Sequence, residues 1–395
     1  MIIGGLAALW RHGVTLTALA DFLERHRGDQ VVLVDRDGPL TGRALIRAAR
    51  EAPPPTSPVA VSDGHHDRRS LVAVFAAALR EHPVLLTDPY GPRPVLDEET
   101  PSTGFRLMLG TSGTSGAPRH SARPSYGIGI LRPVRQLFRA LDLGGGRPLL
   151  VQPALHHGYG LGFALAGLLA GSPVLLPADA DHLQQLIIDH DPRTSVSAPP
   201  QLDRLTEIGT DWTPDSMVTG SGPLHPELCR RATARFGQVL HNLYGSTEAG
   251  FAAMATPQHL ARRPGCVGRE LHGVGIQLRD GEVWVDSPFG TAGSGYVDTG
   301  DLGHLEDGLL IIARRRDPTA VVGGQNISLI AVRDALAAHP LVASAEVTTA
   351  ADEVFGEQLV ATIRVLGEVN DQDLAEHVRT VVGYRARLAS ITRRS

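Results

Sequence analysis

Residues 108–119 read Met-Leu-Gly-Thr-Ser-Gly-Thr-Ser-Gly-Ala-Pro-Arg, an apolar entry followed by a loop of alternating small and hydroxylated residues. Three glycines, Gly110, Gly113 and Gly116, free the backbone to curl around a polyanion, and Thr111, Ser112, Thr114 and Ser115 add hydroxyl donors beside the peptide amides. A polyphosphate is the ligand such a loop suits. Its last position is Arg119, and arginine is the only long basic side chain in the chain: none of the 37 Lys+Arg residues is a lysine.

At 395 residues the chain exceeds what one hydrophobic core usually serves, so two or three domains are expected. Hydrophobic residues at 42% and charged residues at 20% are ordinary globular values and predict a soluble enzyme. A formal net charge of −5 gives no general attraction for nucleic acid, which argues against that role. Cys229 and Cys266, the two cysteines, are far apart in sequence and lack ligand partners at metal-binding spacing. Neither a disulfide framework nor a zinc site is indicated, and a reducing cytoplasm fits. Met1–Trp10 is apolar but has no positive leader or cleavage site, which argues against a secretory signal. The longest apolar stretch, Leu161–Leu176, is broken by Gly171, Ser172 and Pro173 and reads as a buried helix followed by a strand, with no membrane span.

Short helical patterns alternate with apolar runs at Val31–Val34, Pro83–Leu86, Leu149–Val151, Pro173–Leu176 and Ser195–Ala198, the pattern of a parallel sheet covered by helices. After Gly265 the texture changes to short alternating strands, Val274–Leu278, Glu282–Val285 and Leu309–Ala313, separated by the turns Asp280-Gly281 and Asp307-Gly308. Beyond Asp317 a helix is predicted over 329–338, strands near 344–348 and 358–365, and a helix over 371–382 that Asn370 caps. The expected architecture is α/β: an N-terminal portion, 1–316, of two sheet-and-helix layers with a small β subdomain over about 265–316, then a compact α+β unit, 317–395.

Four further blocks follow the loop in order: Asn242-Leu243-Tyr244-Gly245-Ser246-Thr247-Glu248, Tyr296-Val297-Asp298-Thr299-Gly300-Asp301, Arg315-Arg316-Asp317, and Gly323-Gly324-Gln325-Asn326-Ile327-Ser328. With Leu40-Thr41-Gly42-Arg43-Ala44-Leu45 upstream, the chain resembles the adenylate-forming superfamily of acyl- and aryl-CoA synthetases, luciferases and the adenylation domains of nonribosomal peptide synthetases.

The resemblance implies an ATP- and Mg2+-dependent acid ligase. Thr111, Ser112, Gly113, Thr114, Ser115 and Gly116 would hold the ATP phosphates, with Arg119 in the place of the family's lysine. Glu248 would bind Mg2+, a hard carboxylate for a hard cation, and Thr247 would contact the α-phosphate. Tyr244 would flank adenine within Asn242, Gly245 and Ser246, and Ser221, Gly222 and Pro223 would line its opposite face. Asp301 would accept the ribose hydroxyls, with Arg315 beside it. His157, in His156-His157-Gly158-Tyr159-Gly160-Leu161, fits the segment beside the acyl pocket. Asp317 falls at the hinge of the family's mobile C-terminal domain, and Gly323 and Gly324 in the loop of its second half-reaction.

Two departures stand out. Ser390, in Ala389-Ser390-Ile391-Thr392-Arg393, falls where the family has its C-terminal lysine, and Ala331-Val332-Arg333 replaces Glu-Ile-Glu. The missing positive charge would then come from Arg119, from magnesium, or from Arg385, Arg387 or Arg393. The implied acceptor is coenzyme A or a phosphopantetheine arm on a carrier protein. The alternatives are an amide-forming ligase, or a nucleotide-binding homologue with weak or no adenylation that acts as sensor or partner. A serine hydrolase is excluded by the lack of a Gly-x-Ser-x-Gly elbow.

Overall fold

A computed structural model of the chain describes residues 15–89, 104–111, 119–123, 128–246, 249–290, 295–316, 319–322, 325–352, 356–383 and 386–394. In chain order the elements begin with α1 (Leu16–Arg27), β1 (Val31–Asp35), β2 (Gly38–Thr41), α2 (Gly42–Glu51), β3 (Ala60–Asp63), α3 (Arg68–Leu79), β4 (Val84–Thr87), β5 (Leu107–Thr111) and β6 (Arg119–Arg123). Next come α4 (Leu131–Ala140), β7 (Leu149–Val151), α5 (Gly158–Ala170), β8 (Val174–Leu175), α6 (Ala180–His190), β9 (Thr194–Ser197), α7 (Pro199–Thr206), β10 (Ser216–Gly220), α8 (Pro226–Phe236), β11 (Leu240–Ser246), β12 (Gly250–Ala255), α9 (Pro257–Arg262) and β13 (Arg269–Glu270). The small β subdomain is β14 (Gly275–Arg279), β15 (Glu282–Asp286), β16 (Val297–Glu306) and β17 (Leu309–Arg315). Last are β18 (Thr319–Val322), β19 (Gln325–Ser328), α10 (Leu329–Ala337), β20 (Val342–Asp352), β21 (Gly356–Val365), α11 (Asp371–Val382) and β22 (Leu388–Arg393).

A nine-stranded sheet runs in the order β13-β12-β11-β10-β9-β7-β8-β1-β2. Its centre is parallel, as the apolar runs predict, but its margins are not: β2, β12 and β13 pair antiparallel. A four-stranded sheet, β3-β4-β5-β6, likewise ends in an antiparallel hairpin, β5–β6, which frames residues 112–118 and sets Thr111 opposite Arg119 in the ladder. Antiparallel margins need only short connections, whereas each parallel step needs a crossover helix.

Local signals account for many boundaries. Thr15, Thr41, Asp67, Asp179 and Asn370 each accept a backbone N–H at a helix start. Asp280-Gly281 and Asp307-Gly308 both turn with positive φ (51°, 83°; 52°, 72°), the hairpin geometry their sequence predicts. Strand alternation then sorts side chains to two cores. Val151, Val196, Val218 and Leu243 face the core shared with α5, while Leu150, Met217 and Leu240 face α6 to α8.

The segment after Asp317 has its own core, built on Ala320, Val332, Leu336, Leu359, Ile363, Leu374 and Val378. Arg393 and Arg394, both on the surface, make ion pairs and hydrogen bonds with the C-terminal segment. Arg393 donates to Val369 O at 2.8 Å and pairs with Asp371, while Arg394 pairs with Glu346 at 3.1 Å. No helix among the described residues is long and apolar enough to cross a membrane.

Candidate active site

Tyr244 lies near the carboxyl end of β11 and Asp301 in β16, two strands of different sheets, and the phenol donates to Asp301 Oδ2 at 2.7 Å. Arg315, from β17, donates to the other oxygen, Oδ1, at 3.2 Å and to Thr299 O at 3.2 Å. Thr299 Oγ1 donates to Val283 O at 2.8 Å and so is left to accept, which it does from the Asp301 amide at 3.3 Å. Asp301 is 5% exposed, and a buried carboxylate keeps its charge cheaply only when a cation and hydrogen bonds accompany it. Burial and then the neighbouring Asp301 push the Tyr244 phenol well above its ordinary range, so it stays a neutral donor. Gly300 makes the crossing possible: its φ is +72°, and a Cβ there would lie 2.9 Å from Arg315 Nη2.

The turn after β10 holds a second feature. Ser221 adopts φ +63°, a left-handed conformation uncommon outside glycine, in an exposed turn at the carboxyl edge of the sheet. Gly222 follows, packed between Pro199 and Val321: a Cβ there would lie in ordinary contact with them, at 3.4 Å and 3.5 Å. Pro223 follows it, exposed.

Around these residues, several predicted groups prove to be engaged in the fold. Asn242 is 2% exposed, and its amide donates to Cys266 O at 2.9 Å, anchoring the loop before β13. Gly245 sits at a register shift between β11 and β12, where a Cβ would strike Gly250 O at 2.3 Å. Ser246 Oγ accepts the Ala249 amide at 3.1 Å. His157 occupies the N-cap position of α5, its ring 4.2 Å from that of His156, centroid to centroid.

Sequence reasoning gave little weight to His156 and none to His66. His156 is 5% exposed; its Nδ1 lies 3.0 Å from Gly64 O and its Nε2 3.9 Å from Asp88 Oδ2. Only glycine fits at Gly64, where a Cβ would be 2.4 Å from that of His156. His66 Nε2 lies 2.9 Å from Val151 O and must be the protonated nitrogen, since a carbonyl only accepts. Its Nδ1 is sealed from solvent although part of the residue surface is exposed, and burial lowers the imidazole pKa to about 4. A Gly-His-His run after a short strand was the available signal.

Ser112, Gly113, Thr114, Ser115, Gly116, Thr247, Glu248, Asp317, Gly323, Gly324 and Arg385 lie outside the described residues. Thr111 and Arg119 are described in their backbone, as facing partners of β5 and β6.

The AMP-binding enzyme family matches residues 7–298. The chain belongs to that family. A 2-succinylbenzoate–CoA ligase of Bacillus cytotoxicus is 28% identical over 314 residues, covering 71% of this chain and 64% of the relative. An uncharacterized acyl–CoA ligase of Bacillus subtilis is 27% identical over 314 residues, covering 72% and 62%. The chain thus matches a little under two thirds of the length of these curated relatives. Among solved structures, an o-succinylbenzoate CoA synthetase from Bacillus subtilis superposes with a TM-score of 0.81 at 18% identity, covering 95% of this chain and 94% of that one. An amide bond synthetase from Marinactinospora thermotolerans does so with 0.76 at 22% identity, covering 96% and 95%. These likenesses show the adenylate-forming fold, as the sequence motifs predict.

Proposed function

We propose that this AMP-binding family member joins a carboxylic acid to AMP at the expense of ATP and passes the acyl group to a thiol. In the first step a carboxylate oxygen attacks the α-phosphorus; a P–O bond forms, the bond to the β-phosphate bridging oxygen breaks, and pyrophosphate leaves. In the second a thiol attacks the acyl carbonyl, loses its proton to solvent, and AMP departs. The observation that carries the reading is the Tyr244–Asp301–Arg315 network, which draws three separate sequence blocks of a family member into one cluster.

In this reading Asp301 exchanges partners, releasing oxygen lone pairs to the ribose hydroxyls while Arg315 keeps its charge company. Ser221, Gly222 and Pro223 present backbone to one face of adenine and Tyr244 flanks the other. Residues 112–116, between the strand ends at Thr111 and Arg119, hold the phosphates, with Thr247 on the α-phosphate and His157 beside the acid. Catalysis is positioning and charge neutralisation. Glu248 is the donor type that Mg2+ takes, and no group of three His, Cys, Asp or Glu among the described residues competes for it. Glu248 would hold the ion, whose chemistry when bound would be to neutralise phosphate charge.

The residues from 317 form the compact lid, Asp317 its hinge and Gly323-Gly324 its entering loop. Coenzyme A or a carrier-bound phosphopantetheine is the acceptor, and the cytoplasm the location. Pyrophosphate exchange with a panel of acids tests the first step. A second reading, nucleotide binding without adenylation, draws on Ser390, which lies exposed in β22 opposite Val360 and offers no cation. Binding of ATP with no exchange for any acid would favour it.

A further inference from the structure

Four aromatic rings cluster between α5, the carboxyl ends of β10 and β11, and the amino end of β12. Tyr159, on the first turn of α5, covers Gly220, the last residue of β10, where a Cβ would sit 3.0 Å from the ring. Its hydroxyl lies 3.4 Å from Ser197 O and 3.3 Å from Val218 O, so the ring is tied at its far end to two neighbouring strands. Phe251, on β12, stands opposite Gly245 of β11 in the ladder and 3.7 Å from where a Gly162 Cβ would be. Thus two positions without side chains, Gly220 and Gly162, adjoin the Tyr159 and Phe251 rings, while Gly245 admits the close backbone of Gly250 and Phe251.

Behind them Phe163 lies 5.3 Å from Tyr159 and 5.9 Å from Phe251, and Phe289 lies 5.4 Å from Phe251, centroid to centroid. Phe163 and Phe289 are 2% and 6% exposed and Tyr159 is 8% exposed, whereas Phe251 keeps partial exposure. The Tyr159–Phe163 and Phe251–Phe289 pairs meet edge to face and Phe163–Phe251 is tilted, packing that is cohesive at these distances. No ring can yield without displacing a second, and Tyr159 cannot swing without abandoning its carbonyls.

We propose that this aromatic box closes the acyl end of the site, with Phe251 as its wall, so that the acid activated carries a compact, apolar side chain, a short aliphatic group or a single ring, and long-chain acids are refused. The inference rests on the acid-activating reading above. The wall stands at the motif strand β11 and the start of α5, the elements that carry Tyr244 and His157. A side chain that reached Phe251 would meet a packed edge, and each methylene that fails to fit costs about 10–200-fold in kcat/KM.

The test measures pyrophosphate exchange by the full chain with butanoate, benzoate, decanoate and hexadecanoate. Butanoate or benzoate should exceed hexadecanoate by at least about 100-fold. Phe251→Ala, and the milder Phe251→Leu, should raise decanoate relative to butanoate by about tenfold or more. Equal or better use of hexadecanoate by the unaltered chain would overturn the proposal, as would an unchanged preference in a folded Phe251 variant. Thermal shifts with benzoyl- and hexadecanoyl-sulfamoyl adenosine separate the two readings. Stabilisation by the benzoyl analogue alone, in a chain that exchanges with no acid, would refute acid activation yet keep the compact pocket. Equal stabilisation by both analogues, or by neither, would refute the pocket.

Discussion

Tyr244 Oη and Asp301 Oδ2, 2.7 Å apart, form a hydrogen bond that joins the nine-stranded sheet to the small β-sheet. Removing the donor takes one hydrogen bond from a buried carboxylate. Tyr244→Phe should therefore lower stability by about 1–3 kcal/mol in urea unfolding. An unchanged midpoint would mean that Asp301's remaining partners satisfy it without the phenol.

Nucleotide binding should depend on that same carboxylate. Asp301→Asn keeps the shape and removes the charge, and loss of charge-assisted bonds worth about 1.5–3 kcal/mol predicts a rise of roughly 10–150-fold in the Kd for ATP by calorimetry. A rise under threefold would displace Asp301 from the ribose.

His66 makes stability depend on pH. Its folded pKa, about 4, lies below the ordinary imidazole value, so between about pH 6.5 and 4 the unfolded chain binds a proton that the native state resists. Stability should be full above this window and fall as pH drops through it, by at most about 3 kcal/mol, the residue being partly exposed. Denaturant midpoints at pH 7.5 and 4.5 should separate less in His66→Gln than in the unaltered chain; an equal separation would assign the effect to other groups.

The two cysteines are buried in one core, and burial raises both thiols, with Cys229 adding to the shift of Cys266. Raised thiols are protonated and poor nucleophiles at neutral pH. Both should react with a disulfide reagent at pH 7.5 at least tenfold more slowly in the native chain than in denaturant. Fast native labelling would show that α8 opens.

Arg393 is spent on Val369 O and Asp371, so it is a poor source of catalytic charge. Arg393→Ala should leave pyrophosphate exchange within about twofold and cost under about 1 kcal/mol, as exposed pairs do. On the proposed phosphate-binding role, Arg119→Ala, in the β5–β6 hairpin, should reduce exchange by about 100-fold or more, the scale of a lost transition-state donor. The reverse pattern would place the cation in the tail.

What sequence alone determined was the linear grammar: which segments are apolar enough to be strands, where Thr41 or Asn370 starts a helix, where Asp280-Gly281 turns, and which ordered blocks mark the family. These are local properties, set by propensity, period and backbone freedom within a few residues. Tertiary structure alone decided that Tyr244 and Asp301 meet, that Cys229 and Cys266 share a core, that Asn242 turns its amide to Cys266, and that Tyr159, Phe163, Phe251 and Phe289 converge from three chain regions. Such contacts follow from strand order and register, where pairing by one residue more or less reverses the face a side chain takes, and no local pattern along the chain records that choice.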